Sequence, residues 1–200
     1  MILLETSKPL ITVLMSCYNA EKWLNSSVSS VLNQTFTDFE FIIIDDGSTD
    51  DTLKRIHDFA RNDSRIVVLS KSNTGLSDSL NIGIRMAKGH WIARIDADDI
   101  FEPMKLEKQV QVIENNSNLV FIGTGLTIID EFGRKLNTYC YPKSHILLKR
   151  NLITARKFPP HASAMYKTSA VQKLGGYRGR ISKAEDADLW LRLSEVGELT

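Results

Sequence analysis

The first half of this chain alternates short apolar runs with segments whose apolar residues recur at helical spacing. This alternation predicts a mostly parallel central sheet with helices on both faces, a Rossmann-like α/β fold. Ligands bind such sheets outside the carboxyl ends of the strands. Ser48 can cap the second helix, with Asp51 in the capping-box position. The predicted strands are residues 11–15, 41–44, 66–69 and 90–95, and the predicted helices are residues 21–33, 48–61 and 76–87.

The second half of the chain has a more mixed pattern, without an internal repeat, a low-complexity tract or a domain linker. A chain of 200 residues with this organisation predicts one α/β domain. The predicted elements are a helix from Pro103 to about Asn115, strands at 119–124 and 126–130, a turn at 131–134 leading into a further strand, a short helix from His145 to about Leu152, a strand at 163–166, and helices at 169–174 and 188–196.

Carboxylates follow two of the predicted strands. Asp45 and Asp46 follow the second strand, and the run 96–99 (Asp-Ala-Asp-Asp) follows the fourth. Like charges this close repel, so a fold keeps them where a cation or a ligand lies between them. Oxygen ligands without cysteine indicate a hard ion, Mg²⁺ or Mn²⁺, which completes its shell with water and substrate phosphates. The run therefore predicts a metal–diphosphate site.

A simpler reading of the same run stays open. Asp96 and Asp98 could be solvated caps of the helix that follows Pro103, and Asp99 is interpreted as such a cap in either case.

Composition and missing motifs exclude several classes of protein. A net charge of +1 gives no general attraction to nucleic acid or to an anionic membrane. No stretch is long and apolar enough to span a membrane, and residues 1–9 lack the features of a signal peptide, so we expect a cytoplasmic location. There is no P-loop motif, and no glycine-rich turn follows the first strand. Phe101 stands where an EF-hand needs glycine. Folds that form a covalent aspartyl-phosphate remain an alternative.

Several short motifs, in order along the chain, resemble glycosyltransferase family 2. The similarity runs from about Thr12 to about Leu193. It implies the nucleotide-diphospho-sugar transferase (GT-A) fold, an activated sugar donor and inversion at the anomeric carbon. The segments that carry it are 11–19, 30–36, 44–50, 73–77, 81–83, the Asp-x-Asp at Asp96 and Asp98, and 185–190.

The resemblance also implies roles for the residues of a donor site. Asp46 resembles the residue that accepts the uracil N3–H, Tyr18 a stacking or positioning group for the base, and Ser16 a nucleoside contact. Asp98 resembles the ligand of Mn²⁺ or Mg²⁺, with Asp96 contacting the ion and the donor, directly or through water.

The resemblance places the general base at Asp186, near the start of the last helix. A helix N-terminus stabilises a carboxylate and is expected to keep Asp186 ionised. Glu185 and Asp188 are the competing carboxylates. His161 is either a structural loop residue or an acceptor contact; for Arg178 and Lys183 the alternatives are a solvated surface position and a phosphate contact.

We therefore expect an inverting, hexosyltransferase-type enzyme. It would move a sugar from a UDP-sugar to a hydroxyl of a saccharide or lipid-linked saccharide, in cell-surface polysaccharide or glycolipid synthesis. Residues 1–100 would bind the donor and residues 101–200 the acceptor. Family members usually continue past the last helix, so the end at Thr200 predicts a truncated catalytic domain. Peripheral contact with the inner face of a membrane is left open, and the alternative function is a non-catalytic sugar-nucleotide or partner-binding module.

Overall fold

A seven-stranded sheet forms the centre of the protein, seen in a computed structural model that describes residues 8–179, 181 and 183–200. Its strands lie in the order β3-β2-β1-β4-β8-β5-β9, and a separate hairpin contains β6 and β7. The strands are β1 Ile11–Cys17, β2 Phe39–Asp45, β3 Ile66–Ser70, β4 Trp91–Asp96, β5 Leu119–Ile122, β6 Leu126–Ile129, β7 Lys135–Tyr139, β8 Met165–Lys167 and β9 Glu198–Leu199.

The four strands predicted in the first half pair in parallel, as expected from their continuous apolar sequences. Every residue of β1 and β2 is buried, because helices cover both faces of this part of the sheet. The helices are α1 Glu21–Leu32, α2 Thr52–Asn62, α3 Leu76–Met86, α4 Lys105–Glu114, α5 His145–Ile153, α6 Thr168–Lys173 and α7 Glu185–Leu193.

Two apolar cores lie on opposite faces of the sheet. Along β1, Val13 and Met15 enter one core and Leu14 enters the other, as the two-residue period of a strand requires. The first core receives side chains from α1, α2 and α4, and the second from α3, α5, α6 and α7. The predicted α/β architecture with helices on both faces is therefore confirmed.

The last strands join the second half of the chain to the same sheet. Strand β8 runs antiparallel to both β4 and β5, and β9 runs parallel to β5. The carboxyl end of β5 therefore lies at the same edge as that of β4. The β6–β7 hairpin begins four residues after β5 ends, so it emerges from this edge, with its two strands pairing antiparallel to each other.

Several predicted helix ends were wrong. Helix α2 begins at Thr52, because Ser48 is used elsewhere: its Oγ accepts a hydrogen bond from the N–H of Asn19 at 3.0 Å. Helix α4 begins at Lys105 after Met104, without a side-chain cap, so Asp99 does not cap it. Helix α7 begins at Glu185, three residues earlier than predicted, with its acidic residues in the first turn, where the helix dipole favours them.

None of the helices in the described ranges is both long enough and apolar enough to cross a lipid bilayer.

Candidate active site

The carboxyl ends of β1, β2 and β4 bring the predicted donor-site residues to one edge of the sheet. Ser16 lies beside Ile44 of β2 on one side and beside Asp96 of β4 on the other. Immediately after β2, the N–H of Asp46 donates to the carbonyl oxygen of Cys17 at 2.9 Å. Strand pairing therefore brings the backbones at Ser16 and Asp96 together, with Asp46 beside the end of β1, as the parallel sheet requires.

Asp46 is buried and hydrogen-bonded within the protein. Its Oδ1 accepts from the ammonium group of Lys71 and from the N–H of Thr74 at 3.0 Å, and its Oδ2 accepts from the N–H of Gly75 at 2.9 Å. Burial opposes the charged form, but the Lys71 bond and the two backbone bonds outweigh it and lower the pKa of Asp46. Asp46 is thus an anion held in one orientation. Because Oδ2 accepts only once among the described residues, it has a lone pair left for a donor such as an imide N–H.

The loop that holds Asp46 depends on Asp45 and Gly47. Asp45 accepts from Ser70 Oγ at 3.0 Å and from the N–H of Ser48 at 3.3 Å, so its role is structural. Gly47 has φ +77°, and a Cβ there would lie 2.7 Å from the backbone nitrogen of Asn73. Glycine is therefore required where this loop passes close to the chain after β3.

The two other predicted nucleoside contacts differ in exposure. Tyr18 has 52% of its surface exposed, so its ring can take a base against one face. Ser16 is 8% exposed. The structure thus leaves Tyr18 open to a ligand, whereas Ser16 presents only a small part of its surface.

Asp96 is bound by an internal cation. Arg94, two residues earlier on β4 and fully buried, donates from Nη2 to Oδ1 of Asp96 and from Nη1 to the carbonyl oxygen of Ile95. Burial raises the pKa of Asp96, but the charge of Arg94 and its hydrogen bond outweigh this, so that the pKa is lowered. Asp96 is consequently ionised at neutral pH without any bound metal.

A group of aromatic side chains lies next to Arg94. His161 Nε2 and the hydroxyl of Tyr177 are 2.7 Å apart, and the Tyr177 and Tyr166 hydroxyls are 3.2 Å apart. Burial, and then the charge of Arg94, lowers the pKa of His161 to about 3. His161 is therefore neutral at physiological pH, and it is hydrogen-bonded to the side chain of Tyr177.

Asp98 and Asp99 extend the carboxylate cluster outward. Asp98 is exposed. Asp99 is exposed as well, but partial desolvation of its carboxyl group, followed by the charges of Asp96 and Asp98, raises its pKa to about 6. This accumulation of negative charge is the environment that a cation relieves.

The donor atoms in this cluster suit a hard divalent ion that is shared with a substrate. Across the described ranges, no three His, Cys, Asp or Glu side chains are arranged to hold a metal ion by themselves. Mg²⁺ and Mn²⁺ sites often use one or two carboxylates, with water and phosphate oxygens completing the shell. Asp98 is exposed and Asp96 gives only Oδ1 to Arg94 among the described side chains, so both retain carboxylate oxygens for such an ion.

Asp186, the predicted base, lies in the first turn of α7 and is partly buried. Burial raises its pKa, and the charges of Glu185 and Asp96 raise it further, against a hydrogen bond from the N–H of Ala187 at 2.7 Å. The helix end is thus not the main influence on this carboxyl group, because burial and the neighbouring carboxylates outweigh it; that Asp186 is ionised and acts as the base stays a prediction. The charge of Asp96, on β4, is the smallest of these influences on Asp186.

The competing carboxylate, Asp188, forms ion pairs with two arginines. Its oxygens pair with Arg192 at 2.7 Å and with Arg178 at 3.2 Å. Arg192 also donates to the carbonyl oxygens of Leu174 and Gly176. Asp188 therefore fastens the turn before α7 to the helix, and Arg178 is an exposed partner in this pair.

Two residues of the site, Lys71 and Arg94, were missed by the sequence analysis. Each is the cationic partner of a predicted carboxylate. Arg94 could have been found, since an arginine inside an apolar strand, two residues before Asp96, points to the same face of the sheet. Lys71 lies in a loop, and its contact with Asp46 depends on tertiary folding.

Comparison with known proteins gives the family. The family model described as glycosyl transferase family 2 matches residues 12–175, most of the chain. The chain belongs to this family. It is 38% identical over 199 residues to a protein named putative glycosyltransferase EpsE from Bacillus subtilis, covering 96% of this chain and 69% of the relative. It is 34% identical to the chondroitin synthase of Escherichia coli, covering 94% of this chain and 27% of that enzyme.

Two solved structures give the fold. TarS 1–349 of S. aureus, in complex with UDP-GlcNAc, superposes with a TM-score of 0.75 at 22% identity, over 94% of this chain and 54% of the TarS 1–349 chain. The mannosyltransferase PcManGT of Pyrobaculum calidifontis, in complex with GDP-Man and Mn²⁺, superposes with a TM-score of 0.76 at 17% identity. The superposition covers 97% of this chain and 55% of the PcManGT chain. The protein therefore has the GT-A fold of family 2 glycosyltransferases. The chain spans little more than half the length of either of these solved chains.

Proposed function

We propose that this glycosyltransferase moves a hexosyl group from a UDP-sugar to a hydroxyl of a saccharide or lipid-linked saccharide, with inversion at the anomeric carbon. The family and the GT-A fold support sugar transfer; the donor, the acceptor and the stereochemistry are our inference. A role in making cell-surface polysaccharide or glycolipid is suggested by the chondroitin synthase among its relatives.

The nucleoside would bind at the end of β1 and β2. Asp46 would accept the uracil N3–H with Oδ2, Tyr18 would stack on the base, and Ser16 would contact the nucleoside where it lines the edge of β1. Because the Lys71 and backbone contacts already fix Asp46 as an acceptor, it favours a base that presents a donor at this position. This preference suits uracil, although one structural neighbour is in complex with GDP-Man.

A divalent cation would be held by Asp98 and by the carboxylate oxygen of Asp96 that Arg94 leaves free. Bound there, Mn²⁺ or Mg²⁺ would supply positive charge to the departing diphosphate. The buried guanidinium of Arg94, which pairs with Asp96, contributes a fixed positive charge of its own. It keeps that carboxylate ionised and oriented.

Asp186 would remove the proton from the acceptor hydroxyl as that oxygen attacks the anomeric carbon. The observation that supports this role is its partly buried position in the first turn of α7, where burial raises its pKa. A carboxylate with a raised pKa is a stronger base, provided that it is ionised at the working pH. Residues 1–100 would thus bind the donor, and residues 101–200, which supply α7, would face the acceptor.

A second candidate is a sugar-nucleotide-binding module without turnover. It is favoured by the observation that Lys71 and Arg94 already neutralise Asp46 and Asp96. Incubation with UDP-sugars, Mn²⁺ and saccharide acceptors distinguishes the two. Released UDP coupled to a new glycosidic bond supports transfer, whereas donor binding without either product supports the module.

A further inference from the structure

Charge is divided very unevenly along this chain. Residues 132–184 contain twelve of the 25 Lys and Arg residues and none of the 24 Asp and Glu residues. The chain as a whole has a net charge of only +1, so the remainder is acidic overall. Such segregation concentrates positive potential on whatever surface this segment forms.

The most exposed large apolar side chains belong to the same segment. Ile146 is 75% exposed, Phe132 74%, and Leu136 and Ile153 are each 64% exposed. No other large apolar side chain in the described ranges reaches this exposure. We call the exposed side chains of residues 132–157 the basic–apolar surface.

Helix α5 presents one part of this surface. Leu148 and Leu152 are buried in the second core and anchor the helix. Ile146, Arg150 and Ile153 follow the spacing of one helical face, and they line a depression of about 450 Å³ together with Lys149. Lys149 pairs with Glu195 at 2.9 Å. The helix thus buries one apolar face in the protein and leaves Ile146, Arg150 and Ile153 exposed to solvent.

The β6–β7 hairpin presents the other part, at the edge of the sheet where the candidate active site lies. Its turn and second strand carry Phe132, Lys135 and Leu136, all exposed. Lys157, beyond α5, lies with its ammonium group 5.4 Å from the ring centroid of Tyr139. The end of the hairpin and the chain that follows α5 are therefore in contact.

We propose that the basic–apolar surface docks on a bilayer that contains anionic lipids. Lipid headgroups complement its positive charge, and the interface below them takes up exposed isoleucine, leucine and phenylalanine side chains. A symmetric pair with the same surface of a second copy fits poorly, since two such surfaces would bring like charges together. A hydrated polyanion would use the charge but not the four apolar side chains. This inference goes beyond sugar transfer, and it can be tested without donor or turnover.

Co-sedimentation with lipid vesicles tests the proposal. We expect binding to phosphatidylcholine vesicles that contain phosphatidylglycerol, weaker binding to phosphatidylcholine alone, and a loss of binding as salt rises. Arg150→Glu with Lys157→Glu should weaken the binding by at least tenfold, since each basic residue near an anionic surface strengthens it by roughly fivefold. Ile146→Ser with Ile153→Ser should also weaken it, through the lost apolar contact. Thermal unfolding of each variant checks that it is folded.

Lys54→Glu with Arg85→Glu is the matched control, because it changes the net charge equally on exposed residues of α2 and α3. This control should bind like the parent chain. The proposal is overturned if the parent chain does not bind the anionic vesicles, or if the control loses as much affinity as Arg150→Glu with Lys157→Glu. It is also overturned if Ile146→Ser with Ile153→Ser leaves vesicle binding unchanged, because the surface would then recognise negative charge alone.

Discussion

Replacing Arg94 with methionine leaves the carboxylate of Asp96 without its buried cationic partner. Removing one member of a buried pair costs about 3–5 kcal/mol in unfolding free energy. The side chain of Asp96 is 33% exposed, so water screens part of this cost and we expect about 3 kcal/mol. For a protein of this size, 1 kcal/mol corresponds to about 2–4 °C, so Tm should fall by about 6–12 °C.

The loss should depend on pH in a defined direction. In the parent chain Arg94 lowers the pKa of Asp96, so this pair stabilises the protein above the unfolded-state pKa of about 3.9. That stability is lost as the pH falls through the lower, folded-state pKa. Without Arg94, burial favours protonated Asp96. The variant should therefore be most destabilised near neutral pH, and the difference from the parent chain should shrink in acid.

Chemical denaturation at neutral and acidic pH measures both effects. Arg94→Met with Asp96→Asn should recover much of the loss at neutral pH, because the unpaired charge is gone. Arg178→Met is the control, since it breaks the more exposed pair with Asp188 and should cost less than about 1 kcal/mol. A loss that is equal at both pH values and is not recovered by Asp96→Asn would refute the role of the ion pair.

Two further predictions concern the donor. UDP should bind more weakly in EDTA than in Mn²⁺, because Asp96, Asp98 and the diphosphate are all negative; equal affinities in calorimetry would remove the metal from the account. Asp46→Ala should weaken UDP binding by about 1.5–3 kcal/mol, the contribution of a hydrogen bond to a charged group, and an unchanged dissociation constant would exclude Asp46 from the site.

The core strands of the first half could be predicted because local pattern and burial agree there. The apolar run within β2 is continuous, which only a strand covered on both faces explains. Strand β9 was not predicted, since its two residues give no periodicity and form a strand only by pairing with β5. The start of α7 was predicted at Asp188, three residues too late, although the acidic residues at 185–188 suit the first turn of a helix.

The sequence could predict which carboxylate residues form the candidate site, but not the pKa of each carboxyl group. Motifs located Asp46, Asp96 and Asp186 at the ends of the elements that the structure describes. Their ionisation depends on partners and burial that local sequence does not give: Lys71 for the first, Arg94 for the second, and burial for the third. The pKa of Asp186 is therefore raised, although its place in the helix alone suggested the opposite.

Turnover and UDP affinity of Asp186→Asn, in an active protein that contains this domain, test the central claim most directly. The substitution keeps the size of the side chain and removes its basicity, and Glu185→Gln in the same turn of α7 is the matched control. We expect Asp186→Asn to lower kcat by about 10²–10⁴ while UDP affinity stays nearly unchanged, and Glu185→Gln to retain activity. If Asp186→Asn keeps its turnover while Glu185→Gln or Asp188→Asn loses it, the general base is a different carboxylate.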